Sequence, residues 1–296
     1  MINPRVADET EDVDGAAFEI DYPSHDQPIH ALVFGSPHAG RIYPEAFMAT
    51  TALDAIAIRG SEDAFVDHLI DTAPPHGFPV INARFARAYL DVNREPWELD
   101  PRMFEDELPT FAKGRSPRVT AGLGAIARIV REGQEIYARK LTFSEAADRV
   151  NTVHRPYHAA LASLLARAKA ACGLAILLDW HSMPREATAA NGAGQTPDIV
   201  LGDRFGASCS PAIARRVERE IAALGYRVVR NAPYAGGYTT EHYGKPRTGV
   251  HALQIEISRS LYLDEGTLNP SAGFSVLRRD LDCLFTALAA TDWARL

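Results

Sequence analysis

Short apolar runs recur along the chain at 29–34 (IHALVF), 78–82 (FPVIN), 87–92 (RAYLDV), 174–179 (LAILLD), 198–202 (DIVLG), 226–230 (YRVVR) and 251–257 (HALQIEI). Each is strand-sized. Between them lie stretches of helical period, clearest at 61–73, 142–172, 211–224 and 272–290. Strands alternating with helices predict an α/β fold, a mixed central sheet flanked by helices on both faces. The longest helical stretch opens with TFSE, in which Thr142 and Glu145 have capping-box spacing, and it stops at Gly173. A strand is expected next, and LAILLD follows.

Two segments break the pattern. The first fifteen residues, MINPRVADETEDVDG, are acidic and carry little apolar material to pack. Residues 1–20 are therefore expected to form an acidic extension, and 21–296 one α/β domain. Between 94 and 120 the chain has four prolines and no sustained period. Such an irregular excursion is expected to shape a site rather than a core.

Composition narrows the function classes. With 296 residues, 46% hydrophobic and 23% charged, the chain can bury a sizeable core. A net charge of -7 argues against a surface built to bind nucleic acid or anionic lipid. No apolar run approaches the roughly 18 to 20 residues of a membrane span, and an acidic start is unlike a signal peptide. A cytoplasmic location is expected. Cys172, Cys209 and Cys283 are widely separated and lack metal-type spacing, so they are read as reduced thiols. Oligomeric state leaves no signal in the sequence.

In open α/β sheets the ligand crevice lies beyond the carboxyl ends of the strands, and four of the predicted strands end in chemistry. IHALVF runs into Ser36-Pro37-His38; RAYLDV into Asn93-Arg94; LAILLD into Trp180-His181-Ser182; HALQIEI carries Glu256 and is followed by Arg259. Singly, each is an ordinary loop residue. Together, two imidazoles, a carboxylate and an arginine suit metal-assisted hydrolysis: zinc takes His and carboxylate ligands, keeps one position open, and lowers the pKa of a bound water to about 7. Glu256, costly to bury in LQIEI unless used or paired, is the candidate acid/base, the plain alternative being a solvent-facing strand residue.

The ordered set SPHAG, DVNR, LLDWHS, GASC, GGYTTEHYG and HALQIEISRSLY resembles the N-formylglutamate amidohydrolase family, a branch related to the zinc carboxypeptidases, over residues 32–264. The resemblance implies a phosphorylase/hydrolase-like fold, one zinc ion, and hydrolysis of the small molecule N-formyl-L-glutamate to formate and glutamate in histidine degradation. It also implies His38 and His181 as metal ligands. In the wider carboxypeptidase group a glutamate follows the first histidine by three positions, but here that position is Arg41, which cannot ligate a cation. The third ligand is expected from GSEDAFVD, where Asp63 matches the family's acid and Glu62 is the alternative. Either could instead be a helix N-terminal charge.

Asn93 and Arg94 resemble a carboxylate-binding pair, suited to a substrate with two carboxylates. Arg84 is expected either to stabilise a developing oxyanion or to form a structural salt bridge. The glycine-rich YAGGYTTEHYG is read as a mobile flap with His242 reaching inward, or else as a hairpin. Asp179 is expected to orient an imidazole, not necessarily that of His181, if adjacent positions alternate between faces. The rival readings are a serine hydrolase using Ser36 or Ser182, weakened by the absence of G-x-S-x-G, an amidase for another N-acyl amino acid, and a non-catalytic binding protein of the same fold.

Overall fold

The computed structural model describes residues 16–131, 133–189 and 196–296. The acidic segment ahead of Ala16 lies outside them. Seven strands among the described residues form one mixed sheet: β1 (Phe18–Asp21), β2 (Leu32–Ser36), β3 (Val80–Ala83), β4 (Ala175–Met183), β5 (Ile199–Gly202), β6 (Val228–Arg230) and β7 (Val250–Ser258). Their spatial order is β1-β3-β2-β4-β7-β5-β6. The pairs β3/β2, β2/β4, β4/β7 and β5/β6 are parallel, whereas β1/β3 and β5/β7 are antiparallel. Because β1 begins at Phe18, the expected boundary at residue 21 falls inside a strand of the sheet. The domain starts earlier than the sequence suggested.

The predicted capping box is present: the Thr142 hydroxyl accepts from Glu145 N and the Glu145 carboxylate accepts from Thr142 N. Helix α1 (Phe143–Arg149) then runs through a π turn (Val150–His154) into α2 (Arg155–Cys172), ended by Gly173 at φ 79°. A left-handed C-terminal residue is natural for glycine. Helices α3 (Pro211–Ala223) and α5 (Phe274–Ala289) also follow the predicted periodicity, with the short α4 (Tyr238–Tyr243) between them. No helix among the described residues is long and apolar enough to cross a membrane.

Two predicted elements differ. Residues 87–92 form a turn, not a strand: Leu90 N bonds Ala86 O and Asp91 N bonds Ala125 O, while Leu90 and Val92 stay buried. A short buried apolar run cannot be told from a strand by periodicity alone. The helix expected over 61–73 is broken into a 3-10 turn (Ala57–Ser61) and one α turn (Val66–Leu69), with Phe65 left-handed at φ 63°.

Alternation along the two central strands decides where the site lies. Ile176, Leu178 and Trp180 of β4 join Leu253, Ile255 and Ile257 of β7 in the apolar layer that includes α3 and α5. The other face begins apolar, with Ala175, Leu177 and Ala252 in the layer that includes α2. Farther along that face come Asp179, His181, Gln254 and Glu256, all buried. The change from apolar to polar on one face marks the carboxyl end of the sheet.

Candidate metal centre and active site

His38 sits just past β2. Its loop turns at Gly40, where a Cβ would lie 2.3 Å from Phe85 O, so only glycine lets this segment press against the chain leaving β3. Asp63 N bonds His38 O at 3.0 Å, and that contact draws the break between the 3-10 turn and the next α turn onto the histidine loop. His181 arrives from β4. As a result three buried ligand atoms converge: His38 Nδ1 and His181 Nδ1 lie 3.1 Å apart, and Asp63 Oδ2 is 3.2 Å from the first and 3.1 Å from the second. Glu62 points elsewhere, paired with Arg59 and Tyr43.

The outward nitrogen of each imidazole is held by a carboxylate. His38 Nε2 is 2.6 Å from Asp91 Oδ1, and His181 Nε2 is 3.0 Å from Asp179 Oδ2. Carboxylates on Nε2 favour the tautomer protonated there, which leaves both Nδ1 lone pairs facing Asp63. Three buried acceptors aimed at one another require a cation between them. Protons can serve: burial opposes charge on His181, but Asp179 and Asp63 more than offset it and raise its pKa well above the usual histidine range. A metal ion also fits, because two ligands at about 2.05 Å in a tetrahedral shell lie about 3.3 Å apart, close to the observed spacing. His38, Asp63 and His181 are the group among the described residues that could hold one.

Asp179 therefore orients an imidazole as expected, and the one it holds, left open by the sequence, is that of His181. The two residues are separated by two positions and so share a face. Asp63 is fixed from behind: its Oδ1 accepts from Ser182 Oγ and Arg259 Nη2, both at 3.2 Å, and Arg259 also donates to Ser182 Oγ and to Glu62 O. Burial would raise the Asp63 pKa, but the hydrogen bonds with His181 and His38 hold it well below the ordinary carboxylate range. Burial acts likewise on Asp91 and is outweighed by the charges of His38, Arg87 and Arg94.

Glu256 is the register partner of His181 across β4 and β7. Burial pushes its pKa up, the His181 charge pulls it down and Asp63 pushes it up again, leaving it at about 7. Gln254 donates its amide to Glu256 Oε1 at 2.7 Å and accepts from Gly237 N at 2.8 Å. A carboxyl group balanced near neutrality beside a ligand cluster can take up and release a proton.

These groups line a cleft of about 840 Å³, whose walls also carry Arg87, Arg94, Arg118 and Tyr234. Asn93 accepts from Thr239 N through Oδ1 at 2.8 Å, which turns Nδ2 towards His181 Nε2 at 3.2 Å. With that nitrogen protonated towards Asp179, the amide protons of Asn93 are not taken by the imidazole. Arg94 spends Nε on Leu123 O and Nη1 on Asn93 O, and Nη2 lies 3.9 Å from Asp91.

Three expectations are displaced. Arg84 does not line the cleft, which displaces its oxyanion role and leaves the structural alternative: its backbone pairs with Ala17 and Ile42, and it is Arg87, three residues on, that reaches the wall, bound to Asp91 at 2.8 Å. His242 does not reach inward. It is an exposed residue of α4, stacked on Tyr238. The GG turn is clamped rather than built as a free flap, since a Cβ on Gly237 would meet the Asn93 side chain at 2.5 Å and one on Gly202 would meet Ala235 at 2.8 Å. Neither serine suits nucleophilic catalysis. Ser36 is fully buried, without a partner for its hydroxyl among the described residues, and Ser182 is tied to Asp63 and Arg259. Sequence reading passed over Asp91, Arg87, Gln254 and Tyr234. For Asp91 and Gln254 a signal existed, because each is a buried polar residue two positions from a residue already singled out.

A family model described as N-formylglutamate amidohydrolase matches residues 30–263. The chain belongs to the N-formylglutamate amidohydrolase family. Among its relatives, the N-formylglutamate deformylase of Pseudomonas aeruginosa is 34% identical over 238 residues, covering 79% of this chain and 82% of the relative. That of Pseudomonas putida is 31% identical over 237 residues with the same coverage. The crystal structure of N-formylglutamate amidohydrolase from Ralstonia eutropha JMP134 superposes with a TM-score of 0.87 at 37% identity, covering 93% of this chain and 97% of the other.

Proposed function

We propose that this protein is a zinc-dependent hydrolase that cleaves N-formyl-L-glutamate to formate and L-glutamate. The observation that carries the reading is the meeting of His38 Nδ1, His181 Nδ1 and Asp63 Oδ2 within 3.2 Å of one another, with Glu256 beside them on the next strand. The names of the relatives supply the substrate. In this reading His38, Asp63 and His181 hold the ion, which when bound supplies Lewis acidity and a water that ionises near neutral pH. Asp91 and Asp179 keep the two imidazoles in the ligating tautomer, and Ser182 and Arg259 keep Asp63 turned inward.

Glu256 accepts the proton of the attacking water and passes it to the leaving amide nitrogen, for which a group titrating at about 7 is well matched. Arg94 and the amide of Asn93 read the α-carboxylate, while Arg118, which lines the same cleft, offers charge to the second carboxylate. The cytoplasmic location expected from the sequence and the role in histidine degradation implied by the family resemblance belong to the same reading.

The test is formate release by protein reconstituted with zinc, compared across N-formyl-, N-acetyl- and N-succinyl-glutamate and N-formylaspartate. Turnover should be highest with N-formylglutamate, vanish with a chelator and return with zinc. Turnover that persists after the ion has been removed, confirmed by elemental analysis, sinks the metal reading. Preference for another acyl group sinks the substrate assignment alone.

A further inference from the structure

The residues between β6 and α4 enter the site at Tyr234. This side chain is partly buried and lines the cleft. Among the described residues, no group hydrogen-bonds its hydroxyl. The hydroxyl is therefore left to meet a molecule that enters the cleft. The surrounding donors are already committed: Arg259 to Asp63, Ser182 and Glu62 O, Arg87 to Asp91, and Gln254 to Glu256.

Its placement is fixed by the turn that follows it. Gly202 of β5 packs against Ala235 so closely that a Cβ would fall 2.8 Å from the carbonyl carbon, Gly237 N bonds Gln254, and Gly237 lies against Asn93. The segment is thus pinned to β5, to β7 and to the loop carrying Arg94. Burial and the nearby charges of Glu256 and Asp63 raise the phenol pKa, with Arg259 and Arg87 opposing, so the hydroxyl keeps its proton at neutral pH and acts as a donor. Tyr234 lines the same cleft as Asp63, Arg87, Glu256 and Arg259, so its hydroxyl shares the space in which a substrate would meet the centre.

We propose that Tyr234 is a further catalytic residue, its hydroxyl donating a hydrogen bond to the substrate amide oxygen as that oxygen gains negative charge. This rests on the amide-hydrolysis reading above. A donor aimed where charge develops strengthens its bond in the transition state and so acts on kcat. A donor to a substrate carboxylate, charged throughout, acts on KM instead.

The experiment compares wild type, Tyr234→Phe and Tyr234→Ala, each loaded with zinc. Tyr234→Phe should lower kcat by about 100- to 1,000-fold while KM stays within about twofold and metal content and melting temperature are unchanged. Its affinity for N-phosphono-L-glutamate, a tetrahedral mimic of the hydrated amide, should fall in calorimetry by a similar factor. A loss confined to KM overturns the proposal, as does a normal Tyr234→Phe alongside an impaired Tyr234→Ala, which would make the ring a wall only. A wild-type protein without turnover on any N-acyl amino acid overturns the hydrolase reading and this proposal with it. An active wild type matched by Tyr234→Phe overturns the proposal alone.

Discussion

His181 and Glu256 face one another as register partners on the parallel strands β4 and β7, so one sheet position joins a ligand imidazole to the carboxyl group that titrates nearest neutrality. Neighbouring strands lie about 4.8 Å apart. The two groups feel one another's charge, while the ligand atoms that converge are those of His38, Asp63 and His181.

Glu256→Gln should retain zinc and fold, and lose roughly two to four orders of magnitude in turnover, the scale for removing a proton-transfer group. In the wild type the carboxylate form is the one that accepts a proton, so kcat/KM should rise with pH through about 7 and fall on the acid side as Glu256 becomes protonated. The residual activity of Glu256→Gln should lack this limb. Stopped formate assays from pH 5 to 9 measure both, and near-normal turnover in the variant would move the proton transfer to another group.

Metal retention separates ligands from their supports. His38→Ala and His181→Ala should each abolish stoichiometric zinc, whereas Asp91→Asn and Asp179→Asn should weaken affinity about 10- to 100-fold, as expected for carboxylates that orient ligating histidines. Glu62→Gln should keep the ion, since its carboxylate serves Arg59 and Tyr43. Full zinc in both histidine variants by elemental analysis would refute the assignment.

Arg259 gives a stability prediction. Its guanidinium is buried and bridges Asp63, Ser182 and the Glu62 carbonyl. Removing one partner of a buried ion pair typically costs about 3 to 5 kcal/mol. Arg259→Met should therefore lower the denaturation midpoint of the metal-free protein, and added zinc should restore part of the loss by binding only the folded form. A variant as stable as wild type would show that Asp63 does not need this anchor.

What the sequence revealed and what it concealed follows from chain geometry. His181, Glu256 and the strands that carry them were legible because β4 and β7 are long, buried and regular, so that an ionisable residue in them stands out. Asp179 was legible as a residue that orients an imidazole, but which imidazole it holds was not. Arg87 was missed in favour of Arg84 because the chain leaves the sheet at Ala83, and strand phase says nothing about which side chain a turn points inward. Asp63 could not be separated from Glu62 by spacing, since what selects it is the backbone bond to His38, twenty-five residues earlier. The clamped GG turn depends on contacts with Gly202, Asn93 and Gln254 from three distant parts of the chain, none of which has a local signature.

The last prediction concerns Arg94, which lines the cleft but gives two of its nitrogens to backbone carbonyls. The remaining protons on its terminal nitrogens are what a substrate carboxylate would meet. A lost charge-assisted hydrogen bond costs on the order of 1.5 to 3 kcal/mol, so Arg94→Ala should reduce kcat/KM for N-formylglutamate by about tenfold to a few hundredfold. Arg94→Lys should recover only part of this, because an ammonium group cannot replace the planar fork and would also leave Leu123 O or Asn93 O unpaired. The decisive comparison is with the α-carboxamide analogue of the substrate. An Arg94 that reads the α-carboxylate should penalise N-formylglutamate far more than the analogue when it is removed. Equal penalties would assign Arg94 to holding the segment from Asn93 to Leu123, and recognition of the α-carboxylate would pass to another cation of the cleft wall.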